Sequence, residues 1–335
     1  MGRRRIGTCV PVSRKGKLRA RGRGLPGGIM NSAIYFVHEG KAAYPEVTAM
    51  QLFFGSDYRT DVADLDELSR KPDVVRSAAW HMMGFYPRRP AAKLVIHDYR
   101  SLSVGRFRRA KDVLKRVMNA QPDIRVFQND DIRKAMGFAR DSRTYYLPMG
   151  VPDIFVERRG LAAASACDFI YIGSMLDERR CDLMLDSFIK RFGSSKSFHL
   201  YGSPNPTLQA RYQGRANIRF CGQVPQVELL DMLKTARVGV AYFPNHFPHV
   251  VQTPTKLMEY AAVGLRILAN EQPQNRAASQ AYGVACSWGP ADDMFRDVPD
   301  ALDWPDNAGL DAEAMRWSSV LRCSGLPEAV AAAIG

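Results

Sequence analysis

Short runs of β-branched and aromatic residues alternate with helical stretches along the sequence from Met30 onwards. The runs include SAIYFVHEG, AAKLVIHDY and DIRVFQN in the first half, and DFIYIGSM, SFHLYGSP, NIRFCGQV and VGVAYFP in the second. Runs of this composition, bounded by Gly, Pro, Asn or Asp, are typical of buried strands. Their alternation with helices predicts the α/β class, with parallel sheets that carry helices on both faces.

The alternation is interrupted once, at MGVPDIFVERRGLAAASA. Pro152, Gly160 and a series of small residues in this segment predict a link between two domains, hinged near residues 153–166. A chain of 335 residues is long enough for two domains of ordinary size. We therefore expect two doubly wound, Rossmann-like domains over residues 30–155 and 165–310, facing each other across a cleft, followed by a tail over residues 311–335.

The first 29 residues differ in composition from the rest. They hold nine of the 47 Lys and Arg residues and none of the 34 Asp and Glu, so the remainder carries 38 basic against 34 acidic residues. This leader is rich in Gly and Arg and has neither apolar periodicity nor the apolar stretch of a secretory signal. Either it is a disordered basic arm or translation starts at Met30. A nucleic-acid-binding function would depend on the leader alone, and we expect no nucleic acid as a partner.

Cysteine and histidine are scattered. The six cysteines form no C-x-x-C pair and the six histidines show no metal-ligand spacing, which predicts reduced thiols, a cytoplasmic protein and no metal or other cofactor. No apolar run approaches the roughly 20 residues that a membrane-spanning helix needs.

Ligands of doubly wound sheets bind beyond the carboxyl ends of the strands. The residues that follow the predicted strands are therefore candidates for a binding site. They are His97, Asp98, Gly173, Ser174, Gly202, Gly222 and, two residues beyond Gly222, Val224.

A lysine stands in the first turn of a helix predicted for TPTKLMEYAAVG. Pro254 fits that first turn and Thr253 can cap it, so the free N–H groups and the helix dipole form an anion site. Lys256 opposes the dipole unless an anion is bound, and such a conflict indicates a functional site. Glu259 lies one turn further on, on the same face as Lys256 and Thr255. The alternative is an ordinary Lys–Glu pair on a solvated face.

Four stretches resemble, in their order and spacing, segments of the family 4 glycosyltransferases of the GT-B fold. They are YYLPMGVPDIF, FIYIGSMLDERRCDLMLDSF, NIRFCGQVPQVELLDMLKTARVGVAYF and TPTKLMEYAAVGLRILA, and together they cover roughly Tyr145 to Asn270. The resemblance implies a hexosyltransferase of bacterial surface polysaccharide synthesis that acts with retention. It implies that the first domain binds a glycan or lipid-linked acceptor, that the second binds a nucleotide-sugar donor, and that the tail packs back toward the first.

The resemblance also implies roles for individual residues. Lys256 and Arg179 would meet the donor diphosphate without a metal ion, and Glu259 would accept hydrogen bonds from both ribose hydroxyls. His97 would face the donor sugar and the reacting centre. Asp98 would be the candidate base if the reaction inverted, because an inverting transfer needs a carboxylate near the acceptor hydroxyl.

Two positions depart from the family pattern. The first of two glutamates that the family usually carries falls at Val251, which cannot hold a sugar hydroxyl, so the loop FPNHFPHVVQ has to supply that function. Gln252, His246 and His249 are the candidates. An arginine of the family falls at Ser174, which offers only a hydroxyl.

Arg179 has two possible functions, phosphate binding and an ordinary ion pair. Arg179 replaces a lysine of the family and can bind phosphate bidentately. Alternatively, Asp177 or Glu178 forms an ordinary ion pair with Arg179 or Arg180.

Two other functions remain open. A nucleotide-sugar epimerase would need acid and base carboxylates beside the donor, and no convincing pair is present. A non-catalytic nucleotide- or glycan-binding module would account for Val251 and Ser174.

The stretch from Val104 to Ala120, VGRFRRAKDVLKRVMNA, predicts a basic amphipathic helix. Its apolar side chains can share one stripe and basic residues crowd the rest. Helices of this kind bind anionic membrane surfaces, where a lipid-linked acceptor would be found, so we expect a peripheral location on the inner face of the cytoplasmic membrane. The alternative is a core-packed helix with a solvated basic face. Elsewhere in the first domain, Trp80-His81 and Glu39-Gly40 would shape the acceptor groove.

Overall fold

The computed structural model describes residues 32–40, 44–82, 84–103, 105–160, 162, 164–247 and 249–335. The basic leader over residues 1–29 and the first residue of the predicted basic helix, Val104, lie outside these ranges.

Two parallel sheets of six strands each organise the described residues. The first contains β1 (Ala33–Val37), β2 (Arg59–Ala63), β3 (Ala78–Met82), β4 (Leu94–Tyr99), β5 (Ile124–Phe127) and β6 (Thr144–Tyr146). The second contains β7 (Cys167–Ile172), β8 (Phe198–Tyr201), β9 (Ile218–Gly222), β10 (Ala236–Ala241), β11 (Arg266–Asn270) and β12 (Ser287–Gly289). Neighbouring strands pair in parallel throughout. The predicted α/β fold class, with two doubly wound Rossmann-like sheets, is confirmed.

Helices connect the strands on both faces of the sheets. In the first half they are α1 (Pro45–Phe54), α2 (Leu65–Arg70), α3 (Arg108–Met118), α4 (Asp130–Ala135) and α5 (Asp153–Glu157). In the second half they are α6 (Cys181–Phe192), α7 (Pro206–Tyr212), α8 (Gln226–Lys234), α9 (Thr255–Val263), α10 (Pro273–Tyr282), α11 (Trp317–Cys323) and α12 (Leu326–Ile334).

The strand order reverses once in each sheet. It runs β2-β1-β3-β4-β5-β6 in the first sheet and β12-β11-β10-β7-β8-β9 in the second. Chain connections leave β7 and β10 in opposite directions, which opens a crevice beyond their carboxyl ends. The residues after β7 and the loop between β10 and α9 (residues 242–254, hereafter the β10–α9 loop) meet at that crevice.

The chain crosses between the two sheets twice. Phe155 and Val156 of α5 pack into the core of the second sheet. On the return, the N–H of Trp317 donates to the carbonyl of Val151 at 3.0 Å. The last two helices then bury Trp317, Leu321 and neighbouring apolar residues against the first sheet. Both cores are therefore completed by segments that flank the crossing.

Candidate functional site

Helix α9 is fixed on the second sheet by its tyrosine. The N–H of Ile172 in β7 donates to Oη of Tyr260 at 3.1 Å. A Cβ atom at Gly239 of β10 would lie 2.5 Å from the ring of Tyr260, so glycine is needed for the helix to approach this closely. The first turn of α9 consequently lies at the carboxyl edge of β7 and β10, where the strand order reverses.

The first turn of α9 has no side-chain cap. The helix begins at Thr255, and Pro254 occupies the N-cap position with φ −80° and ψ 84° instead of the first helical position predicted for it. Thr253 stands one residue before the N-cap and does not cap the helix. Its backbone N–H donates to Oε1 of Gln128 in the first domain at 2.9 Å. The N–H of Thr255 donates to the carbonyl of Thr253 at 3.1 Å, so it is the following N–H groups of the first turn that are available for an anion.

Lys256 is buried, and among the described residues no ion pair joins its ammonium to a carboxylate. It is 6% exposed, and its Nζ lies 5.0 Å from the ring centroid of Tyr171 and 4.8 Å from that of Phe243. Burial, and then the positive charge of Arg179, lower the pKa of Lys256 to about 7. A Cβ at Gly173 would lie 2.9 Å from Cε of Lys256, so the glycine after β7 leaves space for the side chain.

Burial also changes the ionisation of Glu259. Burial raises the pKa of its carboxyl to about 7, and the charge of Lys256 opposes that rise. The side chain retains partial solvent contact although protein surrounds it. The predicted alternative of a Lys–Glu pair on a solvated face is wrong, because Lys256 is buried.

Arg179 contacts the β10–α9 loop. Its Nη1 lies 3.3 Å from Nδ1 of His249, and its guanidinium lies 5.6 Å from the ring centroid of Phe243. Nδ1 of His249 is also 3.2 Å from Oε1 of Gln252. One ring nitrogen cannot accept from Arg179 and donate to Gln252 at once, so these contacts are alternatives that depend on the tautomer.

Burial, with Arg179 beside it, lowers the pKa of His249 to about 4, so the ring is neutral near pH 7. Its buried Nε2 has no hydrogen-bond partner among the described residues. In the tautomer that accepts from Arg179, Nε2 carries a proton that is free to donate to a ligand. Of the three candidates for the function missing at Val251, His249 and Gln252 therefore lie beside Arg179. His246 is exposed, with its ring centroid 5.2 Å from that of His249.

Among the described residues, no ion pair joins Asp177 or Glu178 to Arg179 or Arg180. Asp177 accepts a hydrogen bond from Nδ2 of Asn205 at 2.5 Å, and Arg180 pairs with Asp182 at 3.1 Å. The ion pairs predicted as the structural alternative for Arg179 are wrong. Arg179 and Lys256 thus direct two positive charges at one crevice, and an anion bound there would relieve their repulsion.

Glycines bring the strand ends of the second sheet close together. Gly173 and Gly202 adopt φ of 116° and 137°, and a Cβ at Gly202 would lie 2.0 Å from the carbonyl oxygen of Gly173. The N–H of Gly202 donates to the carbonyl of Gly222 at 2.8 Å. Ser174 is partly exposed and accepts at its carbonyl from Oη of Tyr171 at 3.2 Å, and Val224 lies partly exposed in the loop after β9.

His97 and Asp98 lie on opposite faces of β4. His97 is 2% exposed, with Nδ1 3.3 Å from Oη of Tyr99 and its ring centroid 5.1 Å from that of His81. Burial, with Arg125 as the next cause, lowers the pKa of His97 to about 4. His81 shares this face, and neither of its ring nitrogens has a partner in the described part of the chain.

Asp98 lies under the C-terminal tail. Its Oδ2 accepts from Nε1 of Trp80 at 3.1 Å and from Nε of Arg100 at 3.3 Å. The guanidinium of Arg100 in turn lies 5.4 Å from the ring centroid of Trp317. Burial raises the pKa of Asp98 to about 6 although Arg100 opposes it. These contacts are those of a structural carboxylate, and the structure does not bring Asp98 together with His97.

Several residues at the site were not identified from the sequence. Tyr171 and Phe243 surround the ammonium of Lys256, and Gln128 reaches it indirectly through Thr253. Tyr171 and Phe243 lie at the ends of predicted strands, so their location at the carboxyl edge could have identified them as site residues. Among the described residues, no group of three or more His, Cys, Asp or Glu side chains is arranged to hold a metal ion.

No protein-family model and no curated protein matches this sequence. Solved structures nevertheless share its fold. A sucrose-phosphate synthase from Thermosynechococcus elongatus aligns with a TM-score of 0.62 and 11% identity over 90% of this chain and 100% of that one. HepE from Anabaena, in complex with UDP and glucose, aligns with a TM-score of 0.58 and 10% identity over 89% and 99%. AviGT4, a glycosyltransferase involved in avilamycin A biosynthesis, gives 0.51 and 14% over 87% and 92%.

These neighbours are glycosyltransferases of the GT-B fold. At such low identity the likeness shows the fold alone, and it confirms the predicted GT-B architecture of two doubly wound domains. Membership of glycosyltransferase family 4 stays a prediction.

Proposed function

We propose that this chain is a glycosyltransferase that moves a sugar from a nucleotide-sugar donor to a hydroxyl of a glycan or lipid-linked acceptor. The observation that carries the proposal is the buried Lys256 at the uncapped start of α9, which lies beside Arg179 and forms no ion pair with any described carboxylate. A desolvated ammonium with a second positive charge beside it destabilises the free protein, and a bound diphosphate would offset that loss. A nucleotide sugar is the diphosphate ligand that the fold favours.

In this proposal the second domain stabilises the leaving group. Lys256, Arg179 and the N–H groups of the first turn of α9 would face the diphosphate, whose negative charge grows as the bond to the sugar breaks. Fixed positive groups in a site of low dielectric constant stabilise such a transition state without a metal ion. Glu259 would accept hydrogen bonds from the ribose, and His249 and Gln252 would replace the carboxylate missing at Val251.

We further infer that transfer proceeds with retention. An inverting reaction would need a carboxylate base at the acceptor side. Asp98 is the sequence candidate, and it is engaged by Trp80 and Arg100 on the face of β4 away from His97. His97 and His81, both buried and neutral near pH 7, are suited to hydrogen bonds with sugar hydroxyls rather than to charge.

Thermal unfolding against UDP-, GDP- and dTDP-sugars tests donor binding. A ligand present at 100 times its Kd stabilises the native state by about 2.7 kcal/mol, so one nucleotide class should raise the melting temperature while the others do not. Lys256→Met should lose most of that shift, and the control Lys93→Met, at an exposed lysine of the first domain, should keep it. No shift with any nucleotide would refute donor binding.

We propose a second feature, docking of helix α3 on an anionic membrane. The helix packs on the protein through its polar side and presents its apolar side chains to solvent. The exposed fractions are 69% for Phe107, 48% for Val113, 47% for Leu114, 66% for Val117 and 51% for Met118. The buried side is formed by Asp112, which accepts from the N–H of Ser103 at 3.1 Å, and by Lys115, whose Nζ donates to Oγ of Ser103 at 3.0 Å. The alternative of a core-packed helix with a solvated basic face is wrong.

The basic residues of α3 define the partner. Arg109, Lys111 and Arg116 are exposed and flank the apolar side chains. An apolar stripe bordered by cations matches the interface of a bilayer that contains anionic lipids. Within the described part of the chain, no helix is long and apolar enough to cross a membrane. Docking would therefore be peripheral, on the cytoplasmic face, where a lipid-linked acceptor is within reach.

Co-sedimentation with vesicles decides this question. Wild-type protein should bind vesicles that contain phosphatidylglycerol and bind pure phosphatidylcholine much less. The double variant Leu114→Glu and Val117→Glu should abolish binding. Its matched control, Leu52→Glu with Val75→Glu, alters apolar residues that are 79% and 59% exposed elsewhere and should leave binding intact. Equal binding to both vesicle types would contradict the proposal.

A further inference from the structure

Side chains of the first domain hold the β10–α9 loop by its backbone. Oε1 of Gln128 accepts from the N–H of Thr253 at 2.9 Å, and Nδ2 of Asn129 donates to the carbonyl of Val251 at 3.0 Å. Gln128 and Asn129 directly follow β5, at the carboxyl edge of the first sheet. The two groups that they hold lie just before Thr255, where α9 begins.

These hydrogen bonds lie within an apolar contact between the domains. Phe247 and Val251 of the loop pack against a first-domain cluster that includes Tyr99 and Phe127. Gln128 is only 7% exposed. Exclusion of water strengthens the bonds that are made and raises the penalty for breaking them without replacement. The buried side-chain oxygen of Gln128 thus accepts a hydrogen bond from one backbone N–H of the other domain, which fixes the position of Thr253 relative to the first domain.

The segment held in this way carries the polar groups of the candidate donor site. His249 and Gln252 lie within it; His249 contacts Arg179, and Gln252 contacts His249. Lys256 follows immediately. Displacement of the loop would therefore move these groups relative to Arg179, which belongs to the segment after β7.

We propose that Gln128 and Asn129 are positioning residues for the donor, an inference that rests on the proposed function. They fix the β10–α9 loop from the opposite domain, so the affinity for the donor is set partly by residues that do not touch it. Without them, binding of the donor has to order the loop, and the loss of conformational entropy makes the free energy of binding less favourable.

The chain offers substitutions that separate this function from a purely structural one. Gln128→Met removes the acceptor at nearly constant size, and Gln128→Glu retains an acceptor oxygen. Asn129 also caps α4, since its Oδ1 accepts from the N–H of Ile132 at 2.9 Å. Asn129→Ser keeps an oxygen for the cap and loses the donor to Val251, and Asn129→Ala loses both.

The experiment combines amide hydrogen exchange with nucleotide affinity on the full chain. In Gln128→Met the amide of Thr253 should exchange faster and the Kd for the best-bound of UDP, GDP and dTDP should rise, each by about 2- to 13-fold for one lost hydrogen bond. Gln128→Glu should restore both values. Asn129→Ser should weaken the affinity as much as Asn129→Ala does, while the alanine variant, which also loses the cap of α4, should lower the melting temperature further.

Two results would overturn the inference. One is unchanged Thr253 exchange in Gln128→Met, which would mean that the loop is not held by the first domain. The other is faster exchange of the Thr253 amide with an unchanged Kd for the nucleotide, which would mean that these hydrogen bonds connect the domains without affecting donor binding. Absence of nucleotide binding in the wild type would instead refute the proposed function, and Thr253 exchange would still report whether Gln128 holds the loop.

Discussion

Replacement of Lys256 by Met should stabilise the fold and weaken nucleotide binding at the same time. In the free protein, burial and Arg179 lower the pKa of the ammonium from 10.5 to about 7. Since one pKa unit corresponds to about 1.4 kcal/mol, the shift sets an upper bound of about 5 kcal/mol on the destabilisation near pH 7. Imperfect packing of the new side chain reduces this value. We expect Lys256→Met to raise the free energy of unfolding by about 2–3 kcal/mol.

The pH dependence follows from the direction of the pKa shift. Because the pKa of Lys256 is lower in the folded than in the unfolded state, the unfolded chain binds more protons between about pH 7 and pH 10.5. The stability of the wild type should therefore rise with pH through this window relative to the variant, and the advantage of Lys256→Met should vanish at its upper end. Chemical denaturation at several pH values measures both effects.

The same shift predicts proton uptake on binding. A diphosphate beside Lys256 favours the ammonium form, so binding at pH 8 should take up close to one proton, about 0.9 if the pKa in the free protein is 7. Isothermal titration calorimetry in buffers of different ionisation enthalpy measures this number. The uptake should disappear in Lys256→Met and persist in Lys93→Met. A variant that is less stable than the wild type yet binds nucleotide normally would refute the reasoning, because Lys256 would then be a structural residue.

The other predictions concern the carboxylate, the second cation and the tail. Glu259→Gln should keep the fold and weaken nucleotide binding by about 1.5–3 kcal/mol, since it replaces hydrogen bonds to a charged acceptor, as titration will show. Arg179→Ala should weaken nucleotide binding, whereas Arg180→Ala, whose arginine is paired with Asp182, should not; equal effects would contradict the assignment. Trp317→Ala should lower the free energy of unfolding by about 3–5 kcal/mol through the cavity that it leaves and should not change nucleotide affinity, a combination that denaturation and titration can test.

The sequence predicted the sheets and most of the buried faces because periodicity reports burial directly. CDLMLDSFIKRF has the apolar spacing of an amphipathic helix, and Met184, Phe188 and Phe192 are buried. Leu183, also apolar, is 37% exposed because it precedes Met184 by one residue and so falls about 100° away around the helix. Such differences concern the edges of a stripe and leave the fold unchanged.

Periodicity could not decide how α3 packs. The sequence shows an apolar stripe and a basic remainder, and either side could face the protein. The orientation is set by Asp112 and Lys115, which bond to Ser103 outside the helix. Those contacts depend on the path of the preceding loop, which no spacing within the helix reveals.

The chemistry of the site was more predictable than its geometry. The conflict between Lys256 and the helix dipole is legible in the sequence, and strand alternation separates His97 from Asp98. The contact from Gln128 to Thr253 and the aromatic surroundings of Lys256 join segments far apart in the chain. Thr253 does not cap α9 because the helix begins at Thr255, which leaves Pro254 at the N-cap position.

Release of nucleoside diphosphate from sugar nucleotides tests the central claim most directly. UDP-, GDP- and dTDP-sugars would be incubated with the wild type, Lys256→Met and Lys93→Met, and the freed nucleotide quantified by chromatography. We predict release above background from one donor class, an unchanged rate in Lys93→Met, and a loss of about 2–4 kcal/mol of transition-state stabilisation, or roughly 30- to 1,000-fold in rate, in Lys256→Met. Binding of a donor with no release would indicate a non-catalytic module, and equal release by Lys256→Met would contradict the assignment of this site.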